Sequence, residues 1–165
     1  YQFKNLSFRK NKHITMSLEK DINQPKFRNE FQKASINIIF TFNWMAEKTK
    51  AIFEREGLTS QQFNILRILR GARAPLSTLQ IRQRMLDKMS DTSRIVDRLI
   101  IKGLVKKTVS KTDKRLVDVS ITDKGKKVLA KLDKCEEQMD AVIKTISEAE
   151  AKTLNNILDK MRKSD

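Results

Sequence analysis

Between Ser90 and Ile100 the chain places Ser90, Thr92, Ser93, Arg94, Asp97 and Arg98 around a set of apolar residues, Ile95, Val96, Leu99 and Ile100, that share one helical face. Arg94 and Arg98 stand one turn apart and must project from the other face, with Asp97 beside them. The major groove of B-DNA is about 12 Å wide and admits one such helix, and arginine can bond guanine O6 and N7 through two parallel hydrogen bonds. Ser90, Thr92 and Ser93 are small enough at the helix start to allow close approach, and the backbone amides there favour a phosphate. Taken alone, the same residues describe solvated intrahelical pairs worth about 0.2–0.5 kcal/mol each.

The neighbours decide between these readings. Ser77 with Gln80 has the spacing of a capping box and opens a short helix through Leu79, Ile81 and Leu86. Ser90 is expected to cap the next, Asp91 to Lys102, which Gly103 ends in a left-handed turn. Two β-branched runs, 104–109 and 116–121, then flank the polar Ser110 to Arg115 and predict a β-hairpin. Its tip carries Lys111, Asp113, Lys114 and Arg115, cations suited to the backbone or the minor groove, with Asp113 expected to orient Arg115. Ser77, Gln80, Lys106 and Lys107 are the expected contacts to the phosphate backbone. Helix, turn, helix and charged hairpin in one unbroken order point to double-stranded DNA as the partner.

The sequence lacks the parts of most enzymes. It has one histidine, His13, one cysteine, Cys135, and no glycine-rich phosphate loop, so metal catalysis, Ser-His-Asp chemistry and nucleotide hydrolysis are not expected, and neither is a cofactor. Cys135 falls on an apolar stripe, where a buried structural thiol is the ordinary reading. A lone cysteine makes no internal disulfide, no apolar run approaches the roughly 18–20 residues of a membrane span, and the expected location is cytoplasmic.

Thirty-five Lys and Arg against twenty Asp and Glu give a net charge of +15, unevenly spread. Residues 57–121 hold fourteen basic and five acidic side chains, whereas residues 122–165 hold ten and nine. The polyanion-attracting field therefore belongs to the central third.

With 33% charged residues, four glycines and two prolines, the chain reads as mainly α with a small β-hairpin wing. Phe27, Phe31, Ala34, Ile38, Phe42, Met45 and Ile52 mark one stripe of a long first helix, Phe27 to Phe53. Thr59 with Gln62 caps a second, with Phe63, Leu66 and Leu69 inward and Gly71 as its stop. Thr122 opens a helix carrying Val128, Leu132, Cys135, Met139 and Ile143, and Ser147 with Glu150 caps the last, carrying Leu154, Ile157, Leu158 and Met161. The expected organisation is a leader or flexible N-terminal arm in residues 1–25, with Met16 as a candidate start, a dimerisation helix in 26–56, the DNA-binding lobe in 57–121 and C-terminal dimerisation helices in 122–165.

The text Ser93-Arg94-Ile95-Val96-Asp97-Arg98-Leu99, then Lys102-Gly103-Leu104-Val105, Asp113-Lys114-Arg115 and Ile121-Thr122-Asp123-Lys124-Gly125, resembles the multiple-antibiotic-resistance regulator (MarR) family over residues 27–163. The resemblance implies a winged helix-turn-helix flanked by dimerisation helices, with Asp91 to Lys102 as recognition helix and Asp113 and Arg115 as the wing pair. It further implies a homodimeric repressor on a pseudo-palindromic operator, relieved by a small aromatic or anionic effector. Lys106-Lys107 stands where the family often has an arginine. The competing reading is a basic architectural protein that binds nucleic acid without regard to sequence.

Overall fold

A computed structural model describes residues 17–109 and 117–163. The wing-tip residues Lys111, Asp113, Lys114 and Arg115, and residues 1–16 of the expected leader, with His13, lie outside the described residues. Two compact units meet in the sequence at Trp44 and Met45.

The first unit contains α1 (Leu18–Asp21) and the opening half of α2 (Glu30–Glu54). The long helix begins three residues later than its apolar stripe suggests. Asn29 Oδ1 accepts the Gln32 N–H at 2.9 Å, and Gln32 Oε1 accepts the Arg28 N–H at 2.7 Å. This reciprocal cap satisfies the first orphan donors and leaves Phe27 outside the helix. Phe31 and Phe42 are exposed on α2.

In the second unit α2 ends in a left-handed turn at Gly57 (φ +64°), with Gly57 N–H donating to Glu54 O at 2.9 Å and Leu58 N–H to Phe53 O at 3.1 Å. These paired bonds satisfy two terminal carbonyls and bring Leu58 back as a buried residue. Thr59 and Gln62 form the expected capping box of α3 (Ser60–Gly71), which buries Ile65, Leu66 and Leu69.

The helix α4 (Thr78–Arg84) carries the Ser77–Gln80 capping box but stops short of Leu86. Ile81 and Met85 take the buried places, whereas Leu79 and Leu86 are exposed. Leu86 N–H donates to Asn64 Oδ1 at 3.0 Å, a bond to α3 in place of another helical turn.

The next helix, α5 (Thr92–Ile101), buries Val96 and Leu99 and closes at Gly103 (φ +70°) with the same bond pair as α2: Gly103 N–H to Ile100 O at 2.8 Å and Leu104 N–H to Leu99 O at 2.9 Å.

The strands β2 (Val105–Val109) and β3 (Val117–Ile121) pair antiparallel. A third strand joins them: β1 (Leu76–Ser77) pairs with β3, Leu76 opposite Val119, in the order β1-β3-β2. Two residues are too few to show an alternating pattern, so only tertiary pairing reveals β1. Leu76, Val105 and Val119 enter a core with Phe53, Ile65, Leu66, Val96, Leu99, Leu104, Leu129 and Leu132.

Thr122 caps α6 (Asp123–Asp133) as expected. The helix does not continue through Ile143. It breaks at Lys134 and Cys135, followed by a short α7 (Glu136–Asp140) and turns in which Cys135 N–H donates to Leu132 O and Ile143 N–H to Asp140 O, three residues back. Leu132 is the last fully buried anchor, and Ile143 is exposed. Helical spacing of apolar residues records a face, not an unbroken hydrogen-bond ladder. Cys135 is partly buried against the core.

Ser147 and Glu150 cap α8 (Glu148–Met161). None of its residues is buried, and Leu154, Ile157 and Met161 stand 46%, 53% and 56% exposed. No helix among the described residues is long and apolar enough to cross a membrane.

Candidate nucleic-acid interface

The helix α5 is short, so its orientation depends on what fixes its inner face and its two ends. Val96 and Leu99, both fully buried, fix the inner face; burying side chains of this size contributes roughly 1.5–3 kcal/mol each. Arg94, Asp97 and Arg98 are exposed on the outer side, with Ser93.

The N-terminus is built differently from the expectation. Asp91, not Ser90, is the cap, and its Oδ1 accepts the Arg94 N–H at 3.1 Å. Ser90 Oγ donates to Asp87 O at 2.8 Å, back into the connection from α4. A carboxylate one residue later holds the orphan amide and favours the positive helix end, so the serine hydroxyl serves the preceding turn instead. Thr92 is also corrected: it is only 3% exposed, and its hydroxyl donates to Met85 Sδ at 3.2 Å. The thioether beneath the first turn draws it inward, so its side chain is not on the outer surface. Ser93 and Arg94 are the outward residues of that turn.

Asp97 does not pair along its own helix. Its carboxylate receives Lys107 Nζ at 2.7 Å, linking α5 to β2. Lys106, next to it on β2, is exposed. Ser77 Oγ accepts the Gln80 N–H at 3.2 Å and Gln80 Oε1 accepts the Ser77 N–H at 2.9 Å, so the polar groups of both are committed to the cap except for the hydroxyl hydrogen and the amide NH2.

Three cations were missed by the sequence reading: Arg82 and Arg84 in the last turn of α4, and Lys88 in the connection to α5, all exposed. Their signal was available, because no acidic residue occurs from Ser77 to Leu86 and both arginines fall away from buried Ile81. Among the described residues Arg82, Arg84, Lys88, Arg94, Arg98 and Lys106 make no ion pair, whereas Arg67 and Arg70 of α3 are held by Glu136 and Asp133. The Arg70 pair is two-pronged, at 2.6 and 2.9 Å. That hydrogen bonding holds the Asp133 carboxyl below the usual carboxylate range and raises the Arg70 guanidinium further. Among the described residues the arginines of α3 are thus bound, whereas those of α4 and α5 make no ion pair. Among the described residues no three His, Cys, Asp or Glu side chains gather to hold a metal ion.

Two helices meeting at a turn, the second exposing arginines and followed by a β-hairpin, define a winged helix-turn-helix protein. Residues 56–116 match the model of the MarR family. Over 72 residues, 44% of this chain, the sequence is 35% identical to the HTH-type transcriptional repressor MdtR of Bacillus subtilis (strain 168), of which it spans 46%. The fold resembles that of a mutant MarR from E. coli complexed with operator DNA, with a TM-score of 0.74 at 22% identity, covering 84% of this chain and 99% of the other. It also resembles Bordetella bronchiseptica BpsR, described as regulated in DNA binding by 6-hydroxynicotinic acid, with a TM-score of 0.69 at 19% identity, covering 79% and 94%. Through its winged-helix lobe, residues 56–116, the chain is similar to the MarR family.

Proposed function

We propose that this protein is a transcription regulator of the double-stranded-DNA-binding class, with α5 as its recognition helix and Arg94 and Arg98 as the residues that read base edges. The observation that carries the reading is the pair Arg94 and Arg98, exposed on the face opposite buried Val96 and Leu99 and without an ion pair among the described residues. Ser93 lies beside them, Arg82, Arg84, Lys88 and Lys106 supply backbone charge, and Lys111, Asp113, Lys114 and Arg115, outside the described residues, are proposed as contacts to the adjacent groove. Protein of this kind acts by binding, not by catalysis.

The apolar residues of α8, Leu154, Ile157 and Met161, recur at helical spacing and stay exposed in the single chain. An apolar helix face in this state favours association. A homodimer sets two recognition helices on half-sites about one helical turn apart, hence a pseudo-palindromic operator. Repression would follow from occluding the promoter; the Bacillus relative is named a transcriptional repressor. A groove of about 340 Å³ bordered by Phe53, Leu58, Thr59, Lys50, Glu47 and Glu54 has room for one small molecule, so effector relief belongs to the same reading.

Selection of genomic fragments on the purified protein tests the proposal. A recovered inverted repeat, displaced poorly by random duplex, is the expected result. Equal displacement by random duplex would mean a basic binder without sequence preference.

A further inference from the structure

The C-terminal end of α5 is held by more polar links than its length requires. Lys102, the last residue before the Gly103 turn, sends its ammonium back across the lobe to Gly57 O, in the turn that ends α2, and to Gln62 Oε1 at 3.0 Å. Gln62 is almost fully buried, and the same oxygen accepts the Thr59 N–H at 3.2 Å as part of the α3 cap. The backbone at Lys102 is gripped as well: Lys124 Nζ donates to Lys102 O at 2.8 Å, and Thr122 Oγ1 donates to Gly103 O at 2.8 Å. Thus the turn that closes α5 is joined through one side chain to the turn that closes α2 and to the cap that opens α3.

Resting on the DNA-binding reading above, we infer that Lys102 is a positioning residue for the recognition helix. It sets the angle at which α5 presents Arg94 and Arg98, and it acts through Gly57 O and Gln62 rather than by touching DNA. The chemistry supports this role. A primary ammonium has three donors, two of which are used here, and hydrogen bonds from a charged donor are about twice as strong as neutral ones. Bidentate reading of guanine tolerates little rotation of the helix that carries the arginine, whereas phosphate attraction tolerates much, so loss of the tether should erode discrimination before it erodes attraction.

The test compares the full chain with Lys102→Met, which keeps the aliphatic stem, and Lys102→Arg, which keeps a multi-donor cation. Amide hydrogen exchange without DNA reads the tether directly. Exchange in Lys102→Met is expected to quicken at residues 57–62 and 98–103 while the rest of the core keeps its protection, and Lys102→Arg should restore part of it. With DNA, the ratio of affinities for a selected fragment and a random duplex should fall about tenfold in Lys102→Met, with the salt slope unchanged. Unchanged exchange at both segments overturns the inference, as does quickening spread evenly over the core, which marks ordinary stabilisation. Equal loss on both duplexes with a shallower salt slope also overturns it, since Lys102 would then be a phosphate contact. If the unaltered chain prefers no fragment, the DNA-regulator reading fails on its own account, and the exchange experiment still decides whether Lys102 fixes α5.

Discussion

Lys107 of β2 and Asp97 of α5 meet at 2.7 Å, so the wing strand and α5 are joined by an ion pair between two residues ten positions apart. Both side chains remain about half exposed, at 44% and 58%. Such a pair contributes little to stability, about 0.2–1 kcal/mol, but it removes one cation from the set that can meet a phosphate. Asp97→Asn should therefore leave the melting temperature nearly unchanged, tighten binding to random duplex and steepen its salt slope by about one ion. Titration of one duplex at several salt concentrations measures this, and an unaltered slope would show that Lys107 does not face the backbone.

Arg94→Ala and Arg98→Ala should each cost about 1–3 kcal/mol on a preferred site and relax the choice at one base position. Arg82→Ala and Arg84→Ala should weaken preferred and random duplexes alike. Affinities for a panel of single-base variants separate the two behaviours. Should all four substitutions produce the same uniform loss, α5 does not read bases.

Gly125, in the first turn of α6, has no room for a side chain. A Cβ there would sit 2.3 Å from Leu104 O and 2.8 Å from Ile121 Cγ1. The Leu104 carbonyl is fixed because it accepts the Thr122 N–H at 3.0 Å, so the backbone cannot yield without loosening that bond. Overpacking of this kind costs typically 1–3 kcal/mol, and Gly125→Ala should lower the urea midpoint accordingly. A midpoint equal to that of the unaltered protein would show that α6 can shift freely against Leu104.

The Arg70–Asp133 link joins α3 to the end of α6. Arg70 holds the Asp133 carboxyl below its ordinary value of 3.8, so the pair's stabilisation is present above that value and disappears as pH falls through the lower folded value. Both side chains are about one-third exposed, and solvent screening keeps the contribution small. Arg70→Met should reduce stability at neutral pH, and the difference from the unaltered chain should shrink as pH drops below 3.8. Parallel denaturation curves across that acid range test this; a gap that stays constant would assign the effect to packing.

Leu154→Asp on α8 should convert a dimer into monomers while leaving the winged lobe folded, because Leu154 belongs to no buried cluster in the single chain. Sedimentation velocity reads the assembly, and circular dichroism reads the fold. A monomeric unaltered protein at micromolar concentration would remove the basis for a two-half-site operator.

Much of this architecture depends on near neighbours and could be read from sequence. The capping boxes at Thr59–Gln62, Ser77–Gln80 and Ser147–Glu150 and the left-handed turns at Gly57 and Gly103 are settled within a few residues of themselves, because a helix end must satisfy its orphan groups locally. The outward face of α5 followed from the spacing of Val96 and Leu99. Other features were decided only in three dimensions. Thr92 turns inward because Met85 from another segment lies beneath it, and β1 exists because Val119 offers Leu76 a partner. The break after Asp133 follows where the core ends, and Lys102 reaches a turn forty-five residues away. Each of these depends on which atoms a fold brings together across long sequence separations. For this protein, local sequence determined most helix caps and which arginines face outward, while tertiary packing determined which polar groups are already taken and how α5 is held.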